Sequence, residues 1–133
     1  MIVLDTDLLI DFLKGRRVAV NTIRDLIESK ARLATTVINV FELAWGAYRV
    51  GRLRDVEELS EILETLNLTS KEALKAGEEA AYLYSIGQPL DIRDLLIGII
   101  ARENGYSILT GNTRHLSKIR GLRVIPYHGD SSL

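Results

Sequence analysis

Short runs of branched aliphatic residues alternate along this chain with segments of helical period, and that alternation restricts the fold more than any other feature. Ile2-Val3-Leu4 opens the chain and ends on the polar cluster Asp5-Thr6-Asp7. Leu8, Leu9, Ile10, Phe12 and Leu13 then predict a short helix closing near Gly15. A second helix is expected from about Val18 to Ser29, with Ile23, Leu26 and Ile27 inward, followed by a strand over Ala31 to Ala34. Thr35 or Thr36 can cap the next and most apolar helix, which runs through Val37, Ile38, Val40, Phe41, Leu43, Ala44, Trp45, Ala47 and Tyr48 to Gly51. Arg54 to Leu66 keeps a helical period, Leu66-Asn67-Leu68 suits a brief strand, and Ser70 caps a helix from Lys71 to about Ile86. After Gly87-Gln88-Pro89 a very apolar helix is expected from Ile92 to Arg102 or Glu103, stopped at Asn104-Gly105 by a left-handed cap. Ser107 to Thr110 is a strand, Gly111 to Ser117 a loop or helical turn, and Leu122 to Ile125 a last strand.

Strands separated by helices predict an α/β fold with a parallel sheet covered on both faces. In such a sheet ligands bind beyond the carboxyl ends of the strands, where the strand order reverses. Asp5 and Asn112 follow directly on two of the most apolar strands, so they share one crevice if those strands are neighbours. At 133 residues the chain has the size of one domain, expected over 1–133 with an ordered core of about 2–126. No apolar run approaches the roughly 20 residues that cross a bilayer, and the N-terminus lacks a signal-peptide pattern. A soluble cytoplasmic protein, without a membrane partner, is the expectation.

Composition narrows the chemistry. Without cysteine there is no disulfide scaffold, thiolate nucleophile or cysteine-held zinc. His115 and His128 both fall near the C-terminus without ligand-like spacing. A bound metal would be held by oxygen, which favours hard ions such as Mg²⁺ or Mn²⁺. The net charge of −1 excludes a protein that grips nucleic acid by charge alone.

Among the acids, Asp5 stands at a strand end, where a turn or helix cap is the competing role. Glu42 is the only charged residue between Leu33 and Tyr48. On a helix expected to be buried on most faces, such a carboxylate costs several kcal/mol unless an arginine or a metal pairs with it. Asp94 opens the helix Leu95-Leu96-Ile97-Gly98-Ile99-Ile100-Ala101. There it either complements the helix dipole or projects into the crevice. Asp11 is spaced to pair with Lys14, and Asp7 is a cap or a supporting group. Carboxylates converging on one site repel each other and their pKa values rise until a cation binds. Mg²⁺ there polarises a phosphodiester and acidifies a bound water.

Taken in order, Ile2-Val3-Leu4-Asp5-Thr6-Asp7, the isolated Glu42 after Thr35-Thr36, Asp94-Leu95-Leu96-Ile97, and Leu109-Thr110-Gly111-Asn112 with His115-Leu116 resemble the PIN domain. More narrowly, they are similar to VapC-type toxins of toxin–antitoxin pairs. The likeness runs from Ile2 to about Pro126. It implies a three-layer α/β/α sandwich and an Mg²⁺- or Mn²⁺-dependent endoribonuclease acting on RNA. It also implies a homodimer and a cognate antitoxin that inserts a segment into the active-site groove. By position, Asp5, Glu42 and Asp94 match the family's catalytic, metal-holding acids, and Asn112 stands at the fourth, more variable acidic position. An amide brings no negative charge, so a second metal has less to hold it there. Asp5 and Asp94 are then expected to coordinate one ion while Glu42 orients or deprotonates the attacking water. Thr110, Asn112 and Arg114 are expected to position substrate, with Lys118 and Arg120 drawing in the RNA backbone. Two other readings stand beside this one. One is a catalytically inactive PIN-like module that binds RNA or protein. The other is a haloacid-dehalogenase-like phosphatase, suggested by Asp5-Thr6-Asp7 but lacking the Gly-Thr expected after the second Asp. Trp45, Tyr48, Tyr82 and Tyr84 are candidates for an interface, with core packing the competing role for Trp45.

Overall fold

A computed structural model describes residues 1–130. Five strands, β1 (Ile2–Leu4), β2 (Leu33–Thr36), β3 (Glu64–Leu66), β4 (Ser107–Thr110) and β5 (Val124–Pro126), form one sheet. Its order is β3-β2-β1-β4-β5 and every pairing is parallel. Seven helices connect them: α1 (Thr6–Leu13), α2 (Arg17–Glu28), α3 (Val37–Val50), α4 (Leu53–Ile62), α5 (Ser70–Ser85), α6 (Ile92–Glu103) and α7 (Thr113–Leu116).

The pleat divides the apolar residues between two cores, because successive side chains of a strand point to opposite faces. Val3 and Ile108 face a cluster built with Leu83, Ile97, Ile99 and Ile100, which α5 and α6 supply. Leu4 and Leu109 face the other cluster, with Leu8, Leu9, Ile23, Leu43 and Leu59 from α1 to α4. The result is the three-layer α/β/α sandwich that the alternation of elements implied.

Local signals explain most boundaries. Thr36 caps α3 in a reciprocal box with Asn39, and Gly51 closes that helix at φ +70°. Asp91 caps α6 by accepting from the Arg93 N–H, and Gly105 takes φ +75° just beyond the helix end. Gly98 lies where α6 meets the α7–β5 segment. A Cβ there would come within 2.3 Å of Ile119 Cδ1, so the absence of a side chain sets this approach.

Other boundaries differ from the expected ones. The helix expected to reach Leu66 stops at Ile62, and the strand expected over Leu66 to Leu68 lies at Glu64–Leu66. Leu63, Thr65 and Leu66 fit either period. Pairing with β2 in the register Thr36↔Leu66 settles them as strand, and Arg32 and Tyr106 hold Glu64 at its start. The strand expected over Ala31–Ala34 begins at Leu33, and the last one lies at Val124–Pro126, an edge position that tolerates Pro126. The burial expected around α3 is also corrected. Only Asn39, Leu43 and Ala47 are buried there, while Phe41, Trp45 and Tyr48 are 54%, 55% and 70% exposed. Trp45 is therefore not a core residue.

Candidate active site

The sheet order reverses at β1, whose successors in sequence lie on one side and β4 and β5 on the other. Because β1 and β4 pair directly, Asp5 and Asn112 leave neighbouring strand ends, as the crevice argument requires. Asp5 is 7% exposed and caps α1, its Oδ1 accepting the Thr6 N–H at 2.8 Å. Asp94 joins from the first turn of α6, and Glu42 from the middle of α3.

One continuous set of hydrogen bonds ties these acids together. Thr6 Oγ1 donates to Glu42 Oε1 at 2.6 Å and accepts from Asn39 Nδ2 at 2.9 Å. The same Asn39 amide donates to Asp5 Oδ1 at 2.9 Å. Asp5 Oδ2 accepts from Thr110 Oγ1 at 2.6 Å, and that hydroxyl accepts the Asn112 N–H at 2.9 Å. Asn112 Nδ2 then donates to Asp94 Oδ2 at 3.2 Å, while its Oδ1 meets His115 Nδ1 at 2.6 Å. Asp5 is the hub. Three donors leave a carboxylate with four lone-pair sites one acceptor position to spare.

Electrostatics agree with this geometry. The Glu42 carboxyl is held above its ordinary range by burial first, with the charges of Asp5 and Asp94 adding to the shift. Burial likewise raises Asp94, helped by Asp5 and Asp91. Asp7 is raised too, by burial of its carboxylate and by Asp5, although the residue as a whole is exposed. Each acid thus feels Asp5, the condition under which a cation is favoured. The carboxylate and hydroxyl oxygens gathered here are the donor type a hard divalent ion prefers, and the one imidazole nearby, His115, is turned to Asn112. Among the described residues no three Asp, Glu or His side chains stand close enough to cage an ion as they are.

The other expected residues fall in several places. Thr110 is wholly buried, its hydroxyl hydrogen committed to Asp5. Arg114 is exposed on α7, beside Asn112. Arg120, expected to draw in RNA, instead grips the buried Glu79 through its backbone N–H, Nε and Nη2, and stacks 3.5 Å above the Tyr82 ring. Asp11 does not pair with Lys14. It accepts from the Tyr127 hydroxyl at 2.7 Å and faces Arg16 at 3.7 Å. Asp7 holds the Gly111 N–H at 2.8 Å, and a Cβ on Gly111 would come within 2.4 Å of that carboxylate.

Three participants were not singled out from the sequence: Thr6, Asn39 and Arg93. Asn39 carried a signal, standing three residues after Thr36 in the capping-box spacing and inside an apolar run. Arg93 stood next to Asp94, but nothing in the sequence aimed its Nη1 at Glu42 Oε2, 3.5 Å away.

Comparison with known proteins agrees with this architecture. The PIN domain profile matches residues 2–122. A tRNA(fMet)-specific endonuclease VapC from Shigella flexneri is 27% identical over 125 residues, covering 91% of this chain and 93% of that protein. The structure of VapBC-1 from nontypeable Haemophilus influenzae superposes with a TM-score of 0.82 at 26% identity, covering 95% of this chain and 98% of that one. DNA-bound VapBC from Salmonella typhimurium gives a TM-score of 0.82 at 25% identity, covering 94% and 96%. With a profile match over residues 2–122, nearly the whole chain, this chain belongs to the PIN domain family.

Proposed function

We propose that this protein is an endoribonuclease toxin of a toxin–antitoxin pair, hydrolysing RNA phosphodiester bonds at Asp5, Glu42 and Asp94 with Mg²⁺ or Mn²⁺. The observation that carries the reading is the hydrogen-bonded line from Glu42 through Thr6, Asn39, Asp5, Thr110 and Asn112 to Asp94. It spends buried polar groups on holding three mutually repelling carboxylates at the switch point of the sheet. The kinship with VapC endonucleases supports the choice of reaction.

When bound, a hard divalent cation supplies Lewis-acid polarisation of the phosphodiester and a more acidic water. Asp5 and Asp94, close enough that the charge of one raises the pKa of the other, are the residues that would hold it. Glu42, with Thr6 fixing one of its oxygens, keeps the other for accepting a proton from the attacking water, and a raised pKa suits that task. Asn112 orients Asp94, and Arg114 on the neighbouring exposed turn meets the RNA backbone.

The partners follow the same reading. An apolar groove of about 460 Å³, lined by Ile10, Leu13, Leu43, Ala47 and Val56, opens beside Glu42. It suits an inserted antitoxin segment, and the similar structures include a toxin–antitoxin complex from Klebsiella pneumoniae. We infer a homodimer from the exposed Phe41, Trp45 and Tyr48 of α3. No helix among the described residues is long and apolar enough to cross a membrane.

Purified protein is tested on total RNA with Mg²⁺, with Mn²⁺ and with EDTA. Metal-dependent cleavage is expected in the wild type, and none in Asp5→Asn or Asp94→Asn. Metal-free Asp94→Asn should melt a few degrees higher, because a repelling charge is gone. Asp5→Asn should instead melt lower, because an amide cannot accept from all three donors that the carboxylate holds. Cleavage retained in both variants would sink the proposed site, and a wild type inert with either metal would favour the binding-module reading.

A further inference from the structure

Arg93 is, among the described residues, the one cation within 4.0 Å of the three proposed catalytic acids, its Nη1 standing 3.5 Å from Glu42 Oε2. Its Nε lies 3.5 Å from Asp91 Oδ1 on the other side. Neither contact has the short, paired geometry of a structural bridge, for which 2.7–2.9 Å is typical. Its side chain is 44% exposed, and both partners see solvent. Loose pairs of this kind contribute little to stability. The guanidinium is thus placed by the backbone, one residue before Asp94 in the capped first turn of α6, and is free to change partners at small cost.

The site has a need that such a group meets. It is an acidic crevice in a chain of net charge −1, and its substrate is a polyanion. Asn112 adds no further charge to hold a second cation. We propose that Arg93 is a phosphate-binding residue of this site, leaving Glu42 as RNA enters and taking two oxygens of the scissile phosphodiester in its planar fork. It lowers the cost of bringing phosphate to the carboxylates and stabilises the charge that builds on the phosphoryl oxygens during attack. No bond forms or breaks at Arg93. Its departure also frees the Glu42 oxygen for the attacking water. This inference rests on the ribonuclease reading above.

Arg93→Gln and Arg93→Lys are compared with wild type and with Arg54→Gln, a control on the far more exposed Arg54 of α4. One arm measures kcat and KM with Mg²⁺. The other measures binding of a fluorescein-labelled single-stranded RNA oligonucleotide in EDTA, by anisotropy, where no cleavage occurs. Arg93→Gln should lower kcat about 100-fold and weaken metal-free binding several-fold. Arg93→Lys should recover binding better than kcat, because it keeps the charge and loses the fork, and Arg54→Gln should match wild type. Unchanged metal-free binding in Arg93→Gln overturns the proposal, as does a kcat equal to or above that of wild type. An increased kcat would mark Arg93 as a brake on Glu42. If the wild type itself does not cleave, the ribonuclease reading fails. Arg93 then stands or falls on the binding arm alone.

Discussion

Asn39 shows how much one buried amide can hold. Its side chain is fully buried, donates to both Asp5 and Thr6, and accepts from the N–H and hydroxyl of Thr36. Replacing it with leucine keeps the volume and removes all four bonds. The buried Asp5 carboxylate would lose a donor and the α3 cap would lose half its box. Asn39→Leu is expected to cost about 2–3 kcal/mol by urea unfolding. It should also cut RNA cleavage sharply, because the hydrogen bond that fixes Glu42 comes from Thr6, which Asn39 in turn holds. A variant as stable as wild type would show that the amide is not needed to hold Asp5. Asn112 makes the opposite case. Asn112→Asp would set a second carboxylate about 3 Å from Asp94 Oδ2, the present bond being 3.2 Å. Without metal the variant should melt lower, and Mn²⁺ titration should show tighter binding. Unchanged affinity would mean that this side chain stands outside the coordination shell.

Between elements, the strongest polar lock lies at the other end of α6. Glu79 on α5 is 2% exposed and is gripped by Arg120, with Arg102 Nη1 3.5 Å away. Burial pushes the Glu79 carboxyl upward, and the Arg120 hydrogen bonds with the Arg120 and Arg102 charges more than offset it, holding it below the ordinary glutamate range. A depressed carboxyl contributes stability above its unfolded pKa and loses it as pH falls through the folded value. The acid limb of a stability–pH curve should therefore be shallower in Glu79→Gln than in wild type. Arg120→Ala should lower the urea midpoint more than Glu79→Gln does. It strands a buried charge, whereas Glu79→Gln returns a half-exposed guanidinium to water. Equal midpoints would place the worth of the pair elsewhere, in the Arg120 stack on Tyr82. The Gly98 contact is the apolar counterpart on the same helix. Gly98→Ala should gain about 1 kcal/mol of helix propensity and lose about 1–3 kcal/mol as Ile119, Leu116 and Leu122 are pushed aside. Thermal unfolding would read the net loss, and a more stable variant would show that Ile119 yields freely.

For the molecule as a whole, α3 divides its sides between interior and solvent. Leu43 and Ala47 pack inward, while Phe41 and Trp45, with ring centroids 5.9 Å apart, and Tyr48 lie open to solvent. Trp45→Glu with Tyr48→Glu is expected to shift the sedimentation of the protein from dimer to monomer without altering its circular dichroism. An unchanged dimer would remove this face from the interface. The same helix carries Glu42, so the proposed dimer face and the proposed catalytic acid share one element.

Much was legible in the residues alone, for reasons that differ by position. The β/α alternation determined a parallel sheet with two covered faces, because each element's period says which side it must bury. Asp5 and Asn112 were placed by the rule that ligands sit beyond strand ends. The ends of α3 at Thr36 and Gly51 were set by local backbone chemistry, which acts over a few residues. The burial of α3 was misjudged because apolar character measures what a side chain tolerates in water, and not whether a neighbour covers it. The length of α4 was misjudged because Leu63 to Leu66 fits two periods, and only pairing with β2 chooses between them. Arg120 is expected from its sequence to draw in RNA, and instead Glu79, 41 residues away in sequence, receives it. Asn39, Thr6 and Arg93 belong to the site through contacts with residues distant in sequence or with the far face of a turn, such as the 36 residues that separate Thr6 from Glu42. Sequence by itself determined that Asp5 and Asn112 would stand beyond strand ends. Only the tertiary structure decided which donors hold the acids and which cation faces Glu42, because side-chain partnership depends on distance in space and the chain records only distance along itself.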